Sequence, residues 1–253
     1  MPLTVHQFPC LSDNYGFLAR DEATGLAACI DTPEADAILG ELDKLGWKLA
    51  FILNTHWHPD HAGGNAEIVA ATGATIVGPK EVTRISALDR EVGGGDVVML
   101  GETKFEVIET GGHTLGHIAY FDAADRIAFV GDTLFALGCG RLFEGTAEQM
   151  WTSLQRLAAL PDDTTVYCAH EYTASNARFA LSVDDAPALK ARADAVFAAR
   201  ERGEPTVPTT IGLEKATNPF LRAPALAGRV GASGKRDYEA FGAVRAAKDV
   251  FKG

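Results

Sequence analysis

Thr55-His56-Trp57-His58-Pro59-Asp60-His61, reached directly from the apolar run Ala50-Phe51-Ile52-Leu53, decides how this chain is read. Three of the chain's 7 histidines and one aspartate fall in this short stretch. Imidazole and carboxylate suit zinc, iron or manganese. Four such groups are too many for one metal that must also leave room for a substrate. On an extended segment, residues two apart point to one side, so His56 and His58 can share a metal. Pro59 makes the chain turn, and Asp60 and His61 beyond it can face a second metal.

Working outward, three more ligand-type residues complete the set. His113 lies in Gly111-Gly112-His113-Thr114-Leu115-Gly116-His117, Asp132 in Phe129-Val130-Gly131-Asp132-Thr133, and His170 in Val166-Tyr167-Cys168-Ala169-His170-Glu171. Each follows an apolar β-type run at its C-terminal edge, where α/β proteins gather their sites. Seven ligands then serve two metals. His56, His58 and His113 hold one; Asp60, His61 and His170 hold the other; Asp132 bridges them through its two oxygens. Asp60 and Asp132 are also the expected catalytic carboxylates. His117 reads as a group bonded within its loop rather than a ligand. Gly63-Gly64 and Gly111-Gly112 read as points of close approach.

The periodicity predicts strands over 4–8, 14–19, 26–30, 50–53, 75–78, 96–100, 104–109, 118–121, 127–130 and 165–168, with helices over 34–45, 65–71 and 147–160. After His170 the strand signals nearly vanish, and helices are predicted over 174–181, 188–202 and 238–251. Many strands with interspersed helices, followed by helices alone, argue for a layered β-rich core with a helical cap, within the α/β (α+β) class. A division into 1–172, carrying the metals, and 173–253, helical, follows.

Composition narrows the class. A chain of 253 residues with 47% hydrophobic content can bury a substantial core as one large domain, or one domain and a smaller one. No apolar run reaches the roughly 18 residues that span a bilayer. No basic segment followed by an apolar stretch opens the chain, so no export is expected, and a cytoplasmic location is. The four cysteines, Cys10, Cys29, Cys139 and Cys168, form no C-x-x-C pair and read as free, buried thiols. From Thr173 onward there are 13 basic and 9 acidic side chains, against 10 and 25 before it. That basic tail suits an anionic small molecule. The acidic balance, with no basic block interleaved with aromatics, argues against nucleic acid. No membrane partner and a monomeric state are expected.

The motif His-x-His-x-Asp-His with the later His, Asp and His resembles the metallo-β-lactamase superfamily of binuclear hydrolases. Gly112-His113-Thr114-Leu115-Gly116-His117, Gly131-Asp132-Thr133-Leu134-Phe135, Gly138-Cys139-Gly140-Arg141, Phe143-Glu144-Gly145-Thr146, His170-Glu171-Tyr172-Thr173 and Asn218-Pro219-Phe220-Leu221-Arg222 are similar to glyoxalase II, the hydroxyacylglutathione hydrolases. The resemblance spans essentially the whole chain. It implies a four-layer αβ/βα sandwich with a smaller helical C-terminal domain. It also implies hydrolysis of S-D-lactoylglutathione to D-lactate and glutathione, the second step of methylglyoxal detoxification. Two divalent ions, zinc first and iron or manganese otherwise, can share a water and lower its pKa toward about 7. Hydroxide is then available for attack on a carbonyl, and a thiolate of pKa near 8.5 leaves with little acid help. No G-x-S-x-G element competes with this scheme.

The resemblance also implies the glutathione-binding residues. Tyr172 stands where the family has a tyrosine contacting glutathione, and Arg141 where it has a basic residue, often lysine. Arg245 and Lys248 match two C-terminal basic positions that hold the glycine carboxylate, a role suited to arginine's forked donors. Phe143 departs from the pattern, since some members have tyrosine there, and one hydroxyl contact is lost. Other readings stay open. A β-lactamase shares the first motif, but many of that class use cysteine where this chain has Asp132. A mononuclear-iron persulfide dioxygenase takes glutathione derivatives without the second set that Asp60, His61 and His170 complete here. A tRNA-processing nuclease needs a basic extension not found in this chain. A noncatalytic metal-binding protein on the same fold is the reading from another class.

Overall fold

The computed structural model describes residues 2–253. The chain divides into two compact units: one runs up to Glu109 and includes Gly116–Gly131, the other comprises Thr110–Leu115 and Asp132–Gly253.

In the first unit, one sheet runs in the spatial order β1 (Leu3–Cys10), β2 (Asn14–Asp21), β3 (Leu26–Ile30), β4 (Lys48–Leu53), β5 (Thr75–Gly78) and β6 (Arg90–Glu91). Pairing is antiparallel from β1 to β3 and parallel from β3 onward. Short turns join the first three strands. By contrast, β3 reaches β4 through α1 (Ala35–Leu45), and β4 reaches β5 through α2 (Pro59–Ala62) and α3 (Asn65–Thr72). Parallel neighbours require such crossovers. Ile38 and Leu42 of α1 and Ile68 of α3 cover Leu18, Cys29 and Ile52 of the sheet. Gly46, at φ 63, ends α1 in a left-handed cap, a conformation glycine takes without strain.

The same unit continues with β7 (Val97–Leu100), β8 (Thr103–Glu109), β9 (Ile118–Asp122) and β10 (Ile127–Gly131), each antiparallel to the next. Phe17 of β2 meets Phe129 of β10 at 5.9 Å between ring centroids, and Phe105 of β8 meets Phe129 at 6.2 Å. These strands therefore face the first sheet across an aromatic core. All of β9 is buried, which is why residues 118–121 read as an apolar run rather than an alternation.

The second unit is mostly helical. A short hairpin, β11 (Leu134–Phe135) and β12 (Gly138–Cys139), precedes α4 (Ala147–Ala158). A reciprocal capping box starts α4, with Thr146 accepting from the Gln149 backbone and Gln149 accepting from the Thr146 backbone. β13 (Thr165–Cys168) and α5 (Thr173–Val183) follow, then α6 (Pro187–Glu201), β14 (Thr209–Thr210), α7 (Ile211–Thr217), α8 (Ala223–Leu226) and α9 (Asp237–Val250). Leu137, Ala177, Ala180, Leu189 and Ala193 form one apolar cluster where α5 meets α6. Phe179, Phe220, Phe241 and Trp151 form an aromatic chain, with successive centroids 5.8, 6.2 and 6.1 Å apart.

The reading that strands end at Cys168 misses β14, which pairs Thr165 with Thr210. Helices α7 and α8 are absent from the periodicity as well. Both are too short to display two turns of a 3.6-residue stripe.

Candidate metal centre

Within the first unit, β4 ends at Leu53 and hands the chain to Asn54 and Thr55, both fully buried. The parallel neighbour β3 ends beside it, and Asp31 there donates its backbone N–H to the Leu53 carbonyl at 3.1 Å. Asp31 stands at φ 57, a left-handed position that aspartate tolerates better than most residues. Its carboxylate takes three bonds: from Thr55 N at 2.7 Å, from Thr55 Oγ1 at 2.7 Å and from His61 Nδ1 at 2.8 Å. The His61 proton is thereby placed on Nδ1, leaving the Nε2 lone pair for a metal. Asn54 donates to the His61 carbonyl at 2.9 Å, Asn65 donates to Asn54 Oδ1 at 2.7 Å, and Thr32 donates to Asn65 Oδ1 at 2.7 Å. The turn after Pro59 is thus built on a buried polar floor.

On that floor the ligand-type atoms converge. His56 Nε2 lies 3.0 Å from His58 Nδ1, and His61 Nε2 lies 3.5 Å from Asp60 Oδ2. Asn14 donates to Asp60 Oδ2 at 3.2 Å and steadies that carboxylate. His117 stacks on His56 with centroids 4.7 Å apart and is fully buried. A Cβ on Gly131 would come within 2.7 Å of the His117 ring, so a glycine is required where β10 passes the histidines.

Within the second unit, Asp132 follows β10, and its two oxygens serve two imidazoles. Oδ2 lies 3.3 Å from His113 Nε2 and Oδ1 lies 3.4 Å from His170 Nε2. Charge-assisted hydrogen bonds are shorter, at about 2.7–2.9 Å. Two donors held tetrahedrally at about 2.0–2.1 Å from one ion sit about 3.3 Å apart. The spacings at Asp132 match that edge, so the donors present fit divalent cations in both type and separation. His113 is oriented from behind, with Nδ1 2.9 Å from the Arg141 carbonyl. His170 stacks on Tyr172 at 4.6 Å with parallel planes, and Phe135 stands edge-on to both at 5.8 and 5.4 Å.

A cavity of about 500 Å³ in this unit is lined by His113 and Asp132 together with Arg141, Phe143, Tyr172, Arg245 and Lys248. Phe143 is 62% exposed at its rim. The two basic residues of α9 differ sharply. Arg245 is buried, donates to the Cys139 carbonyl at 2.9 Å, pairs with Asp249 at 2.9 Å and lies over the Phe220 ring. Lys248 donates to the carbonyl and hydroxyl oxygens of Ser175 at 3.0 and 3.1 Å. Burial, reinforced by Arg245, Arg178 and Arg141, pushes its ammonium pKa down to about 8.

Asp31, Asn54, Asn65, Ser175, Asn176 and Asp249 carry no motif, and the sequence reading missed them. All four cysteines are free and buried. Burial pushes the Cys139 thiol up to about 11 and the Cys168 thiol up to about 12, so neither supplies a thiolate nucleophile at neutral pH.

Residues 23–170 match the family model of the metallo-beta-lactamase superfamily, and residues 171–251 match the model of the hydroxyacylglutathione hydrolase C-terminus. A hydroxyacylglutathione hydrolase of Maricaulis maris is 58% identical, covering 98% of this chain and 99% of that protein. One of Erythrobacter litoralis is 55% identical, covering 98% of this chain and all of that protein. Among solved structures, ETHE1 from Myxococcus xanthus matches with a TM-score of 0.68 at 31% identity, covering 94% of this chain and 88% of that one. Among the described residues, no helix is long and apolar enough to cross a membrane.

Proposed function

We propose, from the premise that the chain belongs to the hydroxyacylglutathione hydrolase family of the metallo-β-lactamase superfamily, that it hydrolyses S-D-lactoylglutathione and related 2-hydroxyacylglutathiones to the hydroxy acid and glutathione. The observation that carries this reading is the single cavity that joins the Asp132 carboxylate and His113 to the cations Arg141, Arg245 and Lys248. Glutathione is anionic and extended, and such a cavity offers it charge at one end and a reaction centre at the other.

His56, His58 and His113 would hold one ion, Asp60, His61 and His170 the other, with Asp132 between them. The superfamily's His/Asp donor set supports two metals; zinc is the proposed occupant, with iron or manganese as the alternative. When bound, these ions supply an activated water near neutral pH and positive charge beside the thioester carbonyl. The chain's own residues do the rest. Asp31 fixes the His61 tautomer, and the Arg141 carbonyl fixes that of His113. Of the two basic residues of α9, Lys248 is the more available to a substrate carboxylate, because its partners at Ser175 are neutral oxygens, whereas Arg245 already holds Asp249. Arg245 keeps the floor of the cavity rigid and adds its field. Tyr172 and Phe143 flank the peptide.

We place the metal-holding part in 1–172 and the helical substrate-holding part in 173–253, and take a cytoplasmic monomer as the working form. The test is turnover of S-D-lactoylglutathione, followed at the thioester absorbance, with metal content determined on the same sample. Rapid turnover with close to two metals per chain supports the reading. Two metals without turnover moves the substrate elsewhere, with Phe143 the first residue to examine. One iron without hydrolysis favours the dioxygenase reading.

A further inference from the structure

The hairpin β11–β12 has a ladder of only two pairs, Leu134 with Cys139 and Phe135 with Gly138. A ladder of that length does not hold itself in water. Its turn also places Leu137 at φ 57, a conformation that a residue with a Cβ disfavours. Side chains from elsewhere in the unit hold it instead. Leu137 N donates to Glu214 Oε2 at 2.9 Å. Asn218 Nδ2 donates to the carbonyls of Phe135 at 3.1 Å and Gly138 at 2.9 Å. Asn176 donates to the Ala136 carbonyl at 3.1 Å.

Glu214 is the hub of this network. It is fully buried, and its carboxylate also accepts from the Arg192 guanidinium, the Thr209 hydroxyl and, at 2.9 Å, the Asn218 amide. The hairpin so held reaches both imidazoles beside Asp132. Phe135 stands against His170, and the carbonyl of Arg141, two residues past the hairpin, takes His113 Nδ1.

We propose that Glu214 and Asn218 are positioning residues. Through the hairpin they set the orientation of His113 and His170 and the shape of the cavity mouth. The kinetic consequence rests on the hydrolase reading; the structural one does not.

The experiment compares two double variants, Arg192→Met/Glu214→Gln and Arg192→Met/Glu214→Leu. Both remove the buried charge pair, so neither leaves an ion uncompensated. Only the glutamine keeps an oxygen for Leu137 N and Asn218, with its amide group directed at Thr209. Amide exchange is read by mass spectrometry on residues 134–140 and on the β1–β2 hairpin, beside kcat and KM. In the leucine variant, exchange over 134–140 rises roughly tenfold and kcat/KM falls roughly tenfold, as for one lost buried hydrogen bond. The β1–β2 region stays unchanged, and the glutamine variant stays within about twofold of the parent by the same measure. Equal exchange and equal kcat/KM in the two variants overturns the proposal, as does protection lost evenly along the chain. If either double variant fails to fold, Asn218→Ala in the native background replaces it, and native-like exchange over 134–140 there overturns the proposal. If the native protein itself does not turn over, the hydrolase reading fails, while the exchange comparison still decides the positioning role.

Discussion

Lys248 gives the hydrolase reading a pH signature. Its pKa lies near 8 because burial and three neighbouring arginines oppose the charged form. The ammonium is therefore about nine-tenths protonated at pH 7 and about one-tenth at pH 9. Since the protonated form binds a carboxylate, recognition is strong below pH 8 and is lost as the pH rises through it. A substrate carboxylate beside Lys248 stabilises the charge and raises the pKa in the complex. The profile of kcat/KM, which reports the free enzyme, then bends down near pH 8, while kcat stays level to higher pH. If the ion contact is worth about 1.4 kcal/mol, KM rises roughly tenfold between pH 7 and 9.5. Substrate groups that titrate in the same range are separated by Lys248→Arg, which stays charged throughout. That variant keeps a flat kcat/KM over the interval. A native profile flat to pH 9.5, or an arginine variant bending at the same pH as the native protein, refutes the assignment of Lys248 to the substrate.

Asp132→Ala removes both oxygens that lie 3.3 and 3.4 Å from His113 and His170. Metal content falls below two per chain and kcat falls roughly 10²–10³-fold, the scale of a lost charge-stabilising group; native activity with two metals bound would contradict the bridge. Asp31→Asn weakens the contact that orients His61, and chelator competition should show metal affinity lowered about 10–100-fold. Phe143→Tyr adds a hydroxyl at the exposed rim of the cavity; one new hydrogen bond of about 1 kcal/mol lowers KM roughly fivefold at unchanged kcat, and an unchanged KM places the peptide away from this position. Thr146→Ala removes the capping box of α4; denaturant unfolding should lose about 1 kcal/mol while turnover is preserved.

Sequence legibility follows the range over which each residue's role is determined. The strand 26–30 and the helix predicted over 147–160 were readable because their apolar patterns repeat within a few residues, though the helix ends at Ala158. His56, His58, Asp60 and His61 stood out as candidate donors because four ligand-type groups crowd one turn. Asp31 did not. It stands in Ile30-Asp31-Thr32-Pro33, which looks like an ordinary strand exit, and acquires its role only when the parallel pairing of β3 with β4 brings it to Thr55. Arg245 was expected to meet substrate because it matches a C-terminal basic position of the family the chain resembles; its pairing with Asp249, four residues on, was marked by no motif. Glu214 sits in a helix of seven residues that shows no stripe, and its importance lies in a backbone N–H at Leu137, far away in sequence.

Donor chemistry is therefore written locally in this chain, and what aims the donors is written at long range. The distinction has a physical consequence for relatives that keep the His-x-His-x-Asp-His turn and the later histidines. Metal affinity depends on tautomer and ring orientation as well as on the ligands themselves; Asp31 and the Arg141 carbonyl meet the ring nitrogens of His61 and His113, and our proposal adds the hairpin that Glu214 and Asn218 hold. Two chains with identical ligand motifs can thus differ in metal affinity and in KM through positions that no motif marks. On this reading, substitutions at 31, 214 and 218 are expected to lower metal affinity even where the ligand motif is intact, which metal titration of such variants checks.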